Sequence, residues 1–409
     1  MKLTVIHSAI LLSLIPATAT FAGGLDRSGQ SISAFLQPGN YAEAGISVLD
    51  PTVKGSSTVQ GFAGEKISDM AEDYYFPSAA IKVQATDKIS LGLIYDQPFG
   101  ADSQYAATAG SFGDGIEGTS VEVKTNNLTA LIGYQPTENW NFYAGPVWQT
   151  VEADIKLRGE AYGKAPLTIS GYNIQVEQEE AYGWLAGFAY QIPELALKAA
   201  VTYRSEIKHE AQAHETSGLA ILGQQLPAAG HPLSPAKPLL STLGSRESTL
   251  EAVTPQSVNI DLQSGIAQNT LAFANIRWVH WDQFAVTPSL LAQASALAKG
   301  QAQNLIDYSD DQWSATVGLG HKFNNKWSGT AAIGWDSGAG NPVTTLGPTE
   351  GYWSVGLGGQ YSPAENYFIQ AGVKYFWLGD ATAQTGGNPV GNFEDNHAMG
   401  YGMKIGYRF

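Results

Sequence analysis

The residues able to do chemistry are few and scattered. There is no cysteine, so disulfides and thiolate metal sites are excluded. No H-E-x-x-H, no G-x-S-x-G and no phosphate loop ending in Gly-Lys-Ser/Thr occurs, so the usual marks of metalloprotease, serine-hydrolase and nucleotide chemistry are missing. Among the seven histidines, His209 and His214 stand five apart and miss the four-residue spacing of a helical zinc pair. His280 lies between Val279 and Trp281 with no second His nearby, and Asp69, Glu72 and Asp73 form an acidic run. Solvated surface roles are expected for all of these. No catalytic residue, no metal ligand and no cofactor is therefore expected. The cations point further. Arg204, with Lys198, sits in a run of strict alternation, on the face opposite the large apolar residues, and Arg277 and Lys374 are placed in the same way. A carboxylate brought into a low-dielectric interior needs such a partner. The plainer role for these cations is to hold an interior together, paired with acids such as Glu206 or Glu152.

Alternation is the property of the elements that would position them. The last stretch sets it out: Met399, Tyr401, Met403, Ile405, Tyr407 and Phe409 alternate with Gly400, Gly402, Lys404, Gly406 and Arg408. A soluble β-sandwich rarely leaves such a strand at its end, open to edge pairing. A closed membrane barrel requires it, because its last strand pairs with its first. Strand-like runs are expected at 41–53, 76–84, 89–97, 121–134, 140–157, 181–190, 195–207, 258–265, 271–281, 313–322, 327–336, 352–361, 367–377 and 399–409. Short turns rich in Asp, Asn, Glu or Pro alternate with long links at 54–75, 99–120, 158–180, 208–257, 282–312, 337–351 and 378–398. An even strand number with segregated loop lengths predicts an all-β fold, a 14-stranded antiparallel transmembrane β-barrel.

Composition is consistent with this. Acidic residues number 37 against 22 basic ones, for a net charge of −15, which disfavours a nucleic-acid partner. Glycine (46) and aromatics (10 Trp, 19 Tyr, 15 Phe) are abundant, as aromatic girdles require. Lys2 and His7 precede an apolar run from Ala9 to Ile15 with small residues after it, which reads as a signal peptide over residues 1–22, cleaved after Ala22 or alternatively Ala19. Three parts follow: the signal peptide at 1–22, an N-terminal hatch or plug at 23–40, and the barrel at 41–409.

Two segments do not fit a plain polar-loop reading. Residues 217–243 carry Leu219, Ile221, Leu222, Leu239 and Leu240, and the link after the ninth strand holds Leu290, Leu291, Ala294, Leu297 and Leu305 at spacings that permit a short helix. Such residues either cap the barrel by packing on one another or form an exposed groove for a greasy ligand. Residues 23–40 lack any period yet contain Ile32, Phe35 and Leu36 among glycines. Phe35 and Leu36 are expected to pack on the inner wall near residues 89–98 and to close the lumen.

The order and spacing of several short stretches resemble the FadL family of outer-membrane long-chain fatty acid and hydrocarbon transporters. They are Pro77-Ser78-Ala79-Ala80, Asp87-Lys88-Ile89-Ser90-Leu91-Gly92, Pro98-Phe99-Gly100, Val201-Thr202-Tyr203-Arg204-Ser205-Glu206, Trp278-Val279-His280-Trp281 and Tyr352-Trp353-Ser354-Val355-Gly356-Leu357-Gly358. The resemblance implies passive uptake of hydrophobic molecules across a Gram-negative outer membrane. The ligand would land on loops 158–180 and 208–257, enter a pocket beside the hatch, and leave sideways at a kinked third strand. Ile89, Tyr95, Pro98 and Gly100 would mark that opening. It also implies a monomer, not an enzyme, in contact with outer-membrane lipid and lipopolysaccharide, and delivered to the barrel-assembly machinery through the strand ending in Phe409. The chain departs from the family in its short hatch, where Gln37-Pro38-Gly39 stands in place of an Asn-Pro-Ala element. A porin-like channel for small polar solutes, or a surface adhesive or structural barrel, are the alternatives.

Overall fold

The computed structural model describes residues 25–164 and 167–409; the expected signal peptide lies outside the described residues. The described residues form a closed barrel of fourteen antiparallel strands. They are β1 (Tyr41–Thr52), β2 (Tyr74–Gln84), β3 (Ile89–Asp96), β4 (Ser120–Tyr134), β5 (Trp140–Leu157), β6 (Tyr172–Ile192), β7 (Leu197–Arg204), β8 (Ser257–Ala267), β9 (Thr270–Val279), β10 (Gln312–Lys322), β11 (Trp327–Asp336), β12 (Tyr352–Ala364), β13 (Tyr367–Leu378) and β14 (His397–Arg408). Each pairs with the next, and β14 pairs with β1 from Tyr41↔Arg408 to Thr52↔His397. No edge remains at the closure, as a sheet in hydrocarbon requires.

Alternation puts Tyr401, Met403, Ile405 and Tyr407 of β14, and Ile369, Val373 and Trp377 of β13, on the outside, where they are exposed to lipid. Phe368, Lys374, Phe376 and Lys404 on the same strands are buried inside. Rings gather at both rims. Trp140 stacks on Phe142 and contacts Tyr190 beside two short turns. Trp278–Trp313 and Tyr375–Trp377 pair at the long-link rim. Such belts sit at the two membrane interfaces.

Two expected links are partly strand. β6 begins at Tyr172, so the link expected at 158–180 ends nine residues earlier. Within the link expected at 208–257, Ile207–Thr216 pairs along its length with Ser245–Thr254, and its last residues pair with Asn173–Val176 of β6. Lys208, Glu210, Gln212 and His214 face water, while His209, Ala211, Ala213 and Glu215 are buried. This arm stands above the membrane, so it needs no apolar outer stripe, and a search for oily alternation passes over it.

The arm carries a cap over the barrel mouth. Leu219 of α1 (Leu219–Gln225), Leu240 of α2 (Lys237–Leu240) and Leu290, Leu291 and Ala294 of α3 (Ser289–Lys299) join Tyr105, Phe112, Tyr162 and Phe393 in one apolar core. One carboxylate fixes the arm to α3. Glu215 is fully buried and accepts hydrogen bonds from Tyr172 Oη (2.8 Å), Leu290 N (2.9 Å), Leu291 N (3.0 Å), Ser289 Oγ (3.2 Å) and Ser248 Oγ (3.3 Å). It thereby satisfies the first amides of α3, which no local cap does. Glu215→Ala leaves those amides unpaired, at a cost of about 1–3 kcal/mol. The expected result is faster proteolysis within 217–244 and 287–305 while the barrel keeps its heat-dependent gel mobility. Unchanged cleavage rates would show that Glu215 does not hold the cap.

Candidate functional site

Residues 25–40 touch the inner wall along their length. The Phe35 ring lies over two glycines: a Cβ on Gly92 of β3 would come within 2.5 Å of it, and one on Gly133 of β4 within 3.0 Å. Only glycine leaves that space. Phe35 also meets Tyr143 edge-on at 6.0 Å, and Ile32, Phe35 and Leu36 are buried with Leu131, Val147 and Leu185. A single turn forms here, with Phe35 N and Leu36 N donating to Ile32 O. The carbonyls around it face cations: Lys198 Nζ donates to Leu36 O (2.7 Å), Lys82 Nζ to Gln37 O (2.5 Å) and Arg204 Nη2 to Gln30 O. Arg277 holds the start of the segment. Its Nε bonds Asp26 Oδ2 at 2.7 Å, Nη1 bonds Asn259 Oδ1 at 2.7 Å and Nη2 bonds Gln30 Oε1 at 3.0 Å.

The wall is broken beside this segment. β3 stops at Asp96 and resumes as Gly100–Gln104, both pieces pairing with β4. Asp96↔Asn127 and Gly100↔Lys124 leave residues 97–99 opposite only 125–126. β2 continues outward past the break. Its residues Ala79–Gln84 pair with β3, whereas Tyr74–Ser78 pair with β1 only. The segment supplies what the ladder lacks: Arg27 N donates to Pro98 O (2.6 Å) and Gly100 N to Leu25 O (2.9 Å). Asp96 is tied in by Ser28 Oγ at 2.5 Å.

A cavity of about 120 Å³ lies between the segment and the wall, and its lining reaches the seam through Phe76, Pro77, Ser78, Tyr95 and Gln97. On its other side the lining is polar, with Asn259, Asn275, Gln312, Ser314 and Thr316. The chamber is therefore polar within and mixed toward the membrane, where Phe76, Pro77 and Tyr95 stand beside Ser78 and Gln97.

The structure separates the residues singled out in the sequence into groups. Arg204, Arg277, Phe35 and Leu36 come together around the segment. Tyr95, Pro98 and Gly100 lie at the break, where Tyr95 Oη donates to Asn126 Oδ1 (2.8 Å), whereas Ile89 is at the far end of β3, opposite Tyr134. Leu219 and Leu240 are in the cap core and Leu222 packs against it, but Ile221 and Leu239 are 60% and 49% exposed. Lys374 stands apart, deep in the wall. The expected partner Glu206 is exposed, because β7 ends at Arg204 and the next strand residue is Ile207, so the alternation shifts across the gap. Sequence reasoning did not single out Asp26, Lys82 or Asp96. Lys82 alternates inward like Lys198 and was findable; Asp26, which pairs across 251 residues, was not. His280, read as solvated, bonds Asp311 (2.9 Å) and lies 3.3 Å from Asp282.

The profile of the outer membrane protein transport proteins (OMPP1/FadL/TodX) matches residues 31–409. A comparison with curated protein sequences gives no match. Among solved structures, the chain is similar to a FadL homologue of Pseudomonas aeruginosa, with a TM-score of 0.71, 15% identity and 96% of each chain covered. It is similar also to the Ralstonia pickettii toluene transporter TbuX, with a TM-score of 0.60, 12% identity and 96% and 97% of the two chains covered. The Pseudomonas putida toluene transporter TodX gives a TM-score of 0.59 at 13% identity, covering 96% and 94%.

The Asp26–Arg277 pair is a buried ion pair between the segment and the wall. Removing one partner of such a pair costs about 3–5 kcal/mol. Asp26→Ala should therefore loosen the segment and raise conductance fluctuations in a planar bilayer above those of the parent. Identical traces would show that this pair does not retain the segment.

Proposed function

The chain belongs to the family of outer membrane protein transport proteins (OMPP1/FadL/TodX), and from that membership we propose that it takes up hydrophobic molecules by a sideways route through the β2–β3 seam. It is a multi-pass β-barrel of the outer membrane and a passive transporter, not a catalyst. The ligand lands on the outer surface at Ile221 and Leu239, the large apolar residues of 217–243 that stand exposed. It passes into the chamber beside residues 25–40, which act as the hatch. It leaves between β2 and the break in β3, where the wall lacks a ladder. The one-sided pairing of Tyr74–Ser78 is the observation that carries this reading. Residues 1–22 are proposed as the cleaved signal peptide, and Phe409 as the residue that the assembly machinery reads.

Each apolar carbon withdrawn from water contributes roughly 0.8 kcal/mol. An outer patch therefore concentrates dilute ligand, and the lipid beyond the seam receives it. Flux follows the concentration gradient.

Two variants test the two ends of the route. Ile221→Ser with Leu239→Ser removes exposed apolar surface without entering the cap core, so uptake of a labelled hydrophobic ligand should fall several-fold at low concentration while the barrel inserts normally. Deleting Pro98 restores two residues opposite two across the break and should close the seam, abolishing uptake in a correctly inserted barrel. Full uptake in the deletion variant would refute sideways exit.

A further inference from the structure

At the long-link rim β9 and β10 end side by side, with Val279↔Gln312 as the last pair of their ladder. Residues 282–311 leave and return here as the link that carries α3. The two ends of the link meet on both sides of the wall. On the inner side Trp281 Nε1 donates to Gln312 Oε1 at 2.8 Å, and both side chains are buried. On the outer side His280 Nδ1 lies 2.9 Å from Asp311 Oδ1 and 3.3 Å from Asp282 Oδ1. The His280 ring is 5.5 Å from that of Trp278, so this second group stands just beyond the aromatic belt.

One imidazole nitrogen and two carboxylate oxygens thus fall within 4.8 Å of one another. A divalent metal with bonds of roughly 2.1 Å holds donors at right angles about 3 Å apart, which both contacts of His280 approach. Asp282 is exposed, so rotation of its side chain can close the remaining separation. Charge and orientation distinguish the group from a chance cluster. Neither carboxylate has a Lys or Arg partner among the described residues. Carboxylates this close repel one another. A protonated imidazole offsets one of them, whereas a doubly charged cation offsets both. Trp278, which is outside the group, donates its Nε1 to Asp311 Oδ2 at 2.8 Å and so leaves Oδ1 facing His280. Outer-shell partners orient metal ligands in this way. The paired strand ends and the Trp281–Gln312 bond beneath make the support rigid.

We propose that His280, Asp282 and Asp311 bind a divalent transition-metal ion, Zn²⁺ or Mn²⁺, which clasps the base of the link that carries α3. One nitrogen and two oxygens suit such ions better than Mg²⁺ or Ca²⁺, which prefer oxygen alone. The metal displaces the proton shared by His280 Nδ1 and Asp311 Oδ1, and the imidazole then keeps its proton on Nε2. Water fills the positions that three protein ligands leave open. A metal that joins the two ends of a long link restricts the open chain most, so the clasp steadies α3 from below as Glu215 does from the arm. Asp311 follows His280 by 31 residues, so no local spacing marks the site in the sequence.

The test uses the untagged full-length protein, purified in detergent and stripped with a chelator. Calorimetric titration with zinc chloride should show one saturable site of micromolar affinity. His280→Gln and Asp311→Asn should each weaken zinc binding by at least about tenfold. Asp282→Asn, at an exposed side chain, stands in for either variant that fails the gel-mobility test of folding. Manganese bound to the parent should show the nitrogen coupling of one imidazole in pulsed electron paramagnetic resonance, and His280→Gln should lose it. Zinc should also slow proteolysis within 283–310 in the parent and not in the variants. No saturable binding by the parent, parent-like affinity in a folded variant, or manganese bound without nitrogen coupling would overturn the site. Zinc binding that leaves the cleavage rate unchanged would overturn the clasp.

Discussion

In hydrocarbon every backbone amide and carbonyl must find a partner within the protein. The barrel meets this rule by closing β14 onto β1, but breaks its own ladder at β3. What makes the break tolerable is that its polar groups are satisfied from inside. Pro98 O and Gly100 N pair with Arg27 N and Leu25 O, and Phe99 N and O both bond the Thr125 hydroxyl. Pro77 and Pro98, on the two sides of the seam, have no amide hydrogen to satisfy. The seam and the inner segment are therefore one device. The opening exists because the ladder fails there, and it survives because the segment stands in for the ladder.

The contacts that hold the segment are unequal in strength. One is a buried ion pair, Asp26–Arg277. Around the turn, contacts run from Lys82, Lys198 and Arg204 to backbone carbonyls. A cation on a carbonyl forms a good hydrogen bond but lacks a counter-charge, so it can be exchanged for water more readily than a salt bridge. The segment is thus anchored near its start and held by replaceable bonds around its turn at residues 32–37. A displacement that begins at the turn keeps the ion pair of Asp26 but must expose Ile32, Phe35 and Leu36, which are buried against the wall.

The barrel was legible in the sequence because hydrocarbon imposes a period of two on every strand that crosses it. Tyr367 to Trp377 and Met399 to Phe409 show it most clearly, and its repetition along the chain excludes a run of ordinary core strands. The arm at Ile207–Thr216 was not legible, because water on its outer face removes the apolar stripe that marks a membrane strand. The family of loops that caps the mouth showed its leucines but not their direction: Leu240 points into the core and Leu239, one residue earlier, points out. Helical geometry in a four-residue helix decides that, and no pattern of so few residues fixes its phase. In the site, Phe35 and Leu36 stood out as apolar residues in a glycine-rich leader. The partners of Arg204 and Arg277 did not, because alternation gives a side chain's face but not what meets it across more than 170 residues of chain.

The polarity of the chamber bears on direction. An apolar lumen would bind a hydrocarbon chain strongly and release it slowly. Here Asn259, Asn275, Gln312 and Ser314 line the inner side, while Phe76, Pro77 and Tyr95, with Ser78 and Gln97 among them, line the side next to lipid. A chain lying in such a chamber gains little from the polar wall and roughly 0.8 kcal/mol for each methylene that moves into hydrocarbon. On the proposed sideways route, the gain on entering lipid draws the chain toward the seam without any input of energy. The cap works in the opposite sense. Its interior is filled by Leu219, Leu240, Leu290 and Phe112, so it offers only surface, not volume, to an arriving ligand. On the proposed route, capture outside is surface contact only and the membrane is the favourable end of the path. With that order of affinities, a passive barrel needs a movable segment rather than an energy source.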